Sequence, residues 1–336
     1  MQTSNQLLHA LTREGVLIHV SIRFWRGCKK LKPEDLGLEA SQLSDRLVSL
    51  GHKRLVSKDA LGGLLLAEGR ARSLIELNTF PFLNGLSHFL PNGRLAEVTG
   101  RLKELEQEFW KAKQEFAAKY SSLRSSASAE WRQMAQKLVS DPERLVRAIE
   151  ASFPSAQLME RSFGFDTQLF QISLPENLSL DLVTLADQEG IVQARDNAAR
   201  EAGRKIRQDT EAFVSDCIAA LREQTAALCE EMLRSINSSE TGVHQKTLNR
   251  LIRFIDQFKQ MNFANDRIME EQLDQVRREL LTRTAEEYRD SARARQALTN
   301  GLSLLADKAR ELAKTDASHL VQRFGELGKR KFNLAA

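Results

Sequence analysis

The sequence predicts a mostly α-helical protein with a small β element. A compact α+β head is expected over residues 1–175. A long antiparallel helical hairpin, or coiled-coil arm, with a short C-terminal helix is expected over 176–336. Three observations carry this reading. No proline follows Pro175, and proline costs about 3 kcal/mol inside a helix. Long stretches place apolar residues three and four apart, the spacing of one helix face. Only residues 16–24 and 167–174 alternate well with the period of two that a half-buried strand requires.

The first element is the segment GVLIHVSIRFW. Val16, Ile18, Val20, Ile22 and Phe24 alternate with Leu17, His19, Ser21 and Arg23. A strand needs a neighbour for its backbone groups. The best match is DTQLFQISL, in which Phe170, Ile172 and Leu174 alternate, so the two segments are expected to pair and close the head. HKRLVS, from His52, is a weaker candidate partner. Ser57 is placed to cap a helix running towards Leu77, and NTFPFLNGLSHFLPNG reads as a loop with buried aromatics. Leu95, Val98, Leu102, Leu105, Phe109, Ala112 and Phe116 then follow a heptad spacing. A further helix restarts after Asp141, with Pro142 at its first position.

The expected arm starts with a helix over 187–236, whose stripe includes Phe213, Cys217, Leu221, Leu228, Met232 and Ile236. NSSETG supplies a turn. A second helix over 243–281 carries Leu248, Leu251, Ile255, Phe258, Met269, Leu273, Val276 and Leu280. Asn262 and Asn265 interrupt that seam, either setting register or marking a break. Asn300-Gly301 has the composition of a C-cap before a shorter helix ending near Lys314. The arm's apolar stripes are wide enough to suit a homo-oligomeric bundle as well as a hairpin.

Composition bounds the function classes. The chain is 42% hydrophobic and 28% charged, with a net charge of +4 that permits an anionic partner. The three cysteines are distant from one another and match neither a zinc site nor a disulfide framework. The N-terminus lacks a signal-peptide pattern and no apolar run approaches the length of a membrane span, so a cytoplasmic protein without membrane contact is expected. The six histidines are scattered, and neither a phosphate loop nor a nucleophile elbow occurs. No catalytic, cofactor-binding or metal-ligating residue is therefore assigned, and a non-enzymatic role is expected.

The sharpest local signal is RFWRGCKKLKPED. Arg23, Arg26, Lys29, Lys30 and Lys32 surround Phe24 and Trp25. Cations hold phosphates and aromatics stack on bases, so Arg23, Trp25, Arg26, Lys29, Lys30 and Lys32 are candidate partner- or nucleic-acid-binding residues. The competing reading is a solvated loop with Phe24 and Trp25 in the core. The arginines between Arg277 and Arg295 are interleaved with Glu279, Glu286, Glu287 and Asp290, the pattern of a solvated helical face.

Several of these residues also carry a resemblance. Trp25, Gly27, Lys29 or Lys30, Leu31, Asp35 and Leu36 lead to Phe82, Leu83 and Pro91. Glu108, Phe109, Glu115, Phe116 and Tyr120 follow in one helix. Over roughly its first half, the chain resembles an uncharacterised bacterial domain-of-unknown-function family, number 3150. SHFLP departs from the family's commoner aliphatic-Val-Pro. The resemblance brings no catalytic residues. It implies a MoxR-type AAA+ ATPase and a von Willebrand factor A-like protein as partners, often encoded on mobile elements near DNA recombination genes. The expected function is then a non-catalytic scaffold of that assembly, coupling the ATPase to a client. The alternative is a protein that binds nucleic acid directly, in DNA processing or anti-phage defence.

Overall fold

A computed structural model describes residues 2–36, 38, 50–82, 85–171, 188–238, 242–315 and 317–327. In chain order, α1 (Gln2–Glu14) leads into β1 (Gly15–Arg23), β2 (Cys28–Lys30) and a short 3-10 helix, Pro33–Leu36. Then come β3 (His52–Arg54), α2 (Gly62–Asn78), β4 (Phe80–Phe82), β5 (Ser87–Pro91) and the long α3 (Asn92–Leu138). Next are α4 (Pro142–Glu150), α5 (Ala156–Glu160) and β6 (Gly164–Phe170). The rest is helical: α6 (Gln188–Ser238), α7 (Gln245–Met261), α8 (Arg267–Leu280), α9 (Ala285–Asp290), α10 (Ala292–Lys314) and α11 (Ser318–Leu327). The protein is thus mostly α with a small antiparallel β component.

The chain packs as two units. One comprises Met1–Ile18, Asn78–Ala96 and Leu169–Ala336, and the other His19–Leu77 and Glu97–Gln168. The division expected at residue 175 runs differently, because the N-terminal helix and the segment around β4 and β5 pack with the C-terminal helices.

In the first unit α6 packs most extensively along α10, and also against α1, α7 and α11. Phe213, Cys217, Leu221, Leu228, Met232 and Ile236, the stripe read from the sequence, are all buried. The partner of α6 differs from expectation. The 243–281 segment is two helices, because Asn265 takes a positive φ of 58° and Asp266 starts a new helix by accepting the Met269 N–H at 3.3 Å. The polar residues in that seam mark a break. α10 replaces the expected partner, running through Asn300-Gly301 without a cap. A side chain at Gly301 would run into Leu280 Cδ1, so glycine there permits close packing against α8. A buried ion pair ties three helices: Arg222 on α6 donates to Asp266 Oδ2 at 2.6 Å and to the Leu312 carbonyl on α10 at 2.7 Å.

The segment read as an aromatic loop forms a β-hairpin. β4 pairs antiparallel with β5, with Phe80 opposite Phe89. The prolines misdirected that reading. Pro81 lies in the edge strand, where a missing N–H costs no ladder bond, and Pro91 ends its strand. The four-stranded sheet has the order β4-β5-β1-β6. β1 therefore has β6 as one neighbour, while Gly15, Val16, Leu17 and Ile18 pair with β5 on its other edge. Ile172 and Leu174 lie outside the described residues. Ile18 is fully buried, whereas Ile22 is half-buried.

The second unit is built on an aromatic core. Phe24 packs edge-on against Phe109, and Phe109 against Phe165. Val98, Leu102, Leu105, Phe109 and Phe116 form the buried face of α3, as their spacing predicts. Asp141 caps α4 by accepting the Arg144 N–H at 3.1 Å, with Pro142 at its first position.

Candidate partner-binding surface

The basic loop after β1 is a built structure within the second unit. β2 and β3 form a two-stranded antiparallel ribbon in which Cys28 faces Arg54, Lys29 faces Lys53 and Lys30 faces His52. Backbone bonds extend it at both ends: Leu31 N–H donates to the Gly51 carbonyl at 3.0 Å, and Leu55 N–H to the Gly27 carbonyl at 2.7 Å. Gly27 makes the entry turn at φ 63°, where a side chain would also strike Val56.

One buried contact pins the ribbon. Lys53 Nζ donates to Asp35 Oδ2 at 2.7 Å, with the two side chains only 5% and 7% exposed. The same carboxylate oxygen accepts the Lys32 N–H at 2.8 Å, so Asp35 also closes the turn after β2. It thus bonds back to the preceding backbone and neutralises the inward lysine.

The six candidate residues divide into four groups. Trp25 is half-buried and packs against Phe116, Tyr120 and Phe153, with ring centroids about 6 Å apart. Its ring is part of the core and is not presented for stacking on a base. Arg26 forms a forked pair with Glu68, at 2.5 and 2.8 Å, and lies 4.0 Å from the Phe24 ring centroid. That hydrogen bonding holds the Glu68 carboxyl below its ordinary range, with Arg72 adding two further bonds to Oε1, and raises the Arg26 guanidinium. Arg23 is exposed and lies over the backbone of Gly164. Lys29, Lys30 and Lys32 are exposed, and none is in a side-chain ion pair among the described residues.

The structure adds residues that sequence reasoning missed. Opposed side chains of an antiparallel pair stand on one face, so Lys30 and His52 share a face with Cys28 and Arg54. All four are exposed. The signal that could have found Arg54 was HKRLVS, which was weighed as a partner for the wrong strand.

That face opens onto a groove of about 420 Å³ between β3 and α3. Its α3 wall is a single stripe, Leu123, Ser126, Ala127, Glu130, Trp131 and Met134, at helical spacing. The Trp131 indole N–H donates to the Arg54 carbonyl at 2.8 Å, fixing the ring against the strand. Met134 is 49% exposed at the rim.

Among the described residues, no group of three or more His, Cys, Asp and Glu side chains is arranged to hold a metal ion. Nor is any helix long and apolar enough to cross a membrane. Neither the curated proteins nor the solved structures yield a match to this chain. The family described as "Protein of unknown function (DUF3150)" matches residues 12–307, well beyond the half that carried the sequence resemblance, and the chain belongs to that family.

Proposed function

We propose that the protein is a non-catalytic interaction component and that the β2–β3 ribbon is the surface on which it takes an anionic partner. One observation carries this reading: Lys30 and Arg54 share an exposed face of a ribbon whose inward lysine is neutralised by Asp35, and exposed Lys29 and Lys32 add charge along its edge and end. Cations ordered beforehand lose less side-chain entropy on binding. The family resemblance supplies the partner class, a MoxR-type AAA+ ATPase acting with a von Willebrand factor A-like protein, which this component would couple to a client. The test is co-purification with a MoxR-type AAA+ ATPase from the same cells. A Lys29→Glu, Lys30→Glu, Lys32→Glu variant that melts like wild type should lose the ATPase. Full retention would refute the assignment of the ribbon.

Direct nucleic-acid binding is the second reading, favoured by the same density of cations that make no side-chain ion pair among the described residues. The packing of Trp25 and Phe24 directs it towards phosphate contacts without base stacking. In that case the triple variant should lower the slope of log K against log salt by roughly one unit per lost phosphate contact, with sequence preference unchanged.

A further inference from the structure

We infer that the groove between β3 and α3 receives an acidic peptide segment carrying an apolar side chain, so that the partner is a protein read by charge and by one hydrophobic anchor. This rests on the reading of the ribbon as the partner surface, and it names what the partner presents there.

The groove joins two chemistries. One wall carries Arg54 and His52, and Lys30, opposite His52, stands exposed on the same ribbon face beside the groove. The other wall and the floor are apolar: Leu55 and Val56 are buried beneath it, and Leu123, Trp131 and Met134 line α3. Ser126 and Ala127 are small and leave room between them. A phosphate backbone would meet the cations and leave the apolar wall unused. A purely apolar segment would leave the Arg54 charge in the wall unanswered. An acidic segment with a leucine-sized or aromatic side chain satisfies both walls, and such a pocketed anchor is where binding energy concentrates. Glu130 on α3 also lines the groove. It confines the peptide's carboxylates to the ribbon side, which gives the bound segment one orientation.

A larger groove of about 650 Å³ between α2 and α3 exposes Leu65 and Leu66. Its charged rim is already occupied by the Arg70–Glu108 and Arg101–Glu104 pairs, so it offers no comparable selectivity for charge.

The test uses the full chain and two fluorescent dodecapeptides, each with six carboxylates, one with a central Leu-Phe pair and the other with Ala-Ala in its place. The Leu-Phe peptide should bind about tenfold tighter or better, since only part of the transfer energy of the buried side chain survives the costs of association. Met134→Gln, an exposed and helix-compatible change, should bring the Leu-Phe peptide down to the affinity of the Ala-Ala peptide. Lys30→Glu with Arg54→Glu should abolish binding of both, and Glu130→Gln should strengthen both. If the two peptides bind equally and only the charge variants matter, the groove adds nothing; the inference falls and the ribbon reading survives. If neither peptide binds but a double-stranded oligonucleotide does, with a steep salt dependence, the partner class is nucleic acid and the inference falls. Should no anionic probe bind at all, both readings fall together.

Discussion

Replacing Lys53 with methionine should unlock the ribbon, and the structure sets the scale of the loss. The Lys53–Asp35 pair is separated by 2.7 Å and nearly excluded from water. At an effective dielectric of about 20, that separation is worth roughly 6 kcal/mol of attraction. Dehydrating two ions costs several kcal/mol each, so the pair itself is close to neutral in net stability. Removing only the lysine abolishes the attraction and leaves Asp35 buried with one backbone N–H partner, at a cost of about 3–5 kcal/mol. The assay follows from where the fluorophores lie: all three tryptophans, Trp25, Trp110 and Trp131, belong to the second unit, so urea unfolding read by tryptophan emission reports that unit. With a slope of about 1.5–2 kcal/mol per molar urea, the midpoint should fall by roughly 2 M. A Lys53→Met, Asp35→Leu double variant should recover most of that loss, remaining within about 1.5 kcal/mol of wild type because only the Lys32 N–H is orphaned. An unchanged midpoint for Lys53→Met, or a double variant as unstable as the sum of the singles, would refute the reasoning.

Other consequences can be measured separately. Arg222→Met strands Asp266 in the core of the first unit and should cost about 3–5 kcal/mol, seen in far-ultraviolet circular dichroism with little change in tryptophan emission at the same denaturant. Cys28 is exposed, whereas burial raises the Cys217 thiol well above its ordinary value and that of Cys229 to about 12; a thiol reagent at neutral pH should modify Cys28 alone until the protein unfolds. Gly301→Val should destabilise the first unit by more than Gly100→Val destabilises the second, because only the former meets a neighbour. Arg26 holds Glu68 below its unfolded value of 4.5, so that contribution is complete above 4.5 and lost as pH falls through the lower folded value; Glu68→Gln should flatten the acid limb of the unfolding midpoint of the second unit.

What was legible in the sequence follows from physics that acts locally. The apolar stripe of α6 and the buried face of α3 were readable because a 3.6-residue period needs no knowledge of the partner. Asp141 and Pro142 were readable because a cap is chemistry within four residues. What failed was pairing. Leu248–Leu280 had the right seam, but a single left-handed residue, Asn265, divided it, and the long contact with α6 is made by α10. β4 and β5 were hidden by Pro81 and Pro91, residues that disqualify a central strand but not an edge or a strand end. At the candidate surface, the lysines were visible as composition. That Trp25 is committed to the core, that Arg26 is spent on Glu68 and that Arg54 joins the face depends on contacts dozens of residues apart.

The most direct test of the ribbon as the partner surface is lysine footprinting of the chain alone and mixed with the MoxR-type AAA+ ATPase proposed as its partner. Acetylation would be quantified residue by residue by mass spectrometry. Lys29, Lys30 and Lys32 should lose reactivity severalfold in the complex, while the exposed Lys111 and Lys137 of α3 keep theirs. A complex in which the three ribbon lysines react as in the free protein, with protection falling elsewhere, would contradict the account.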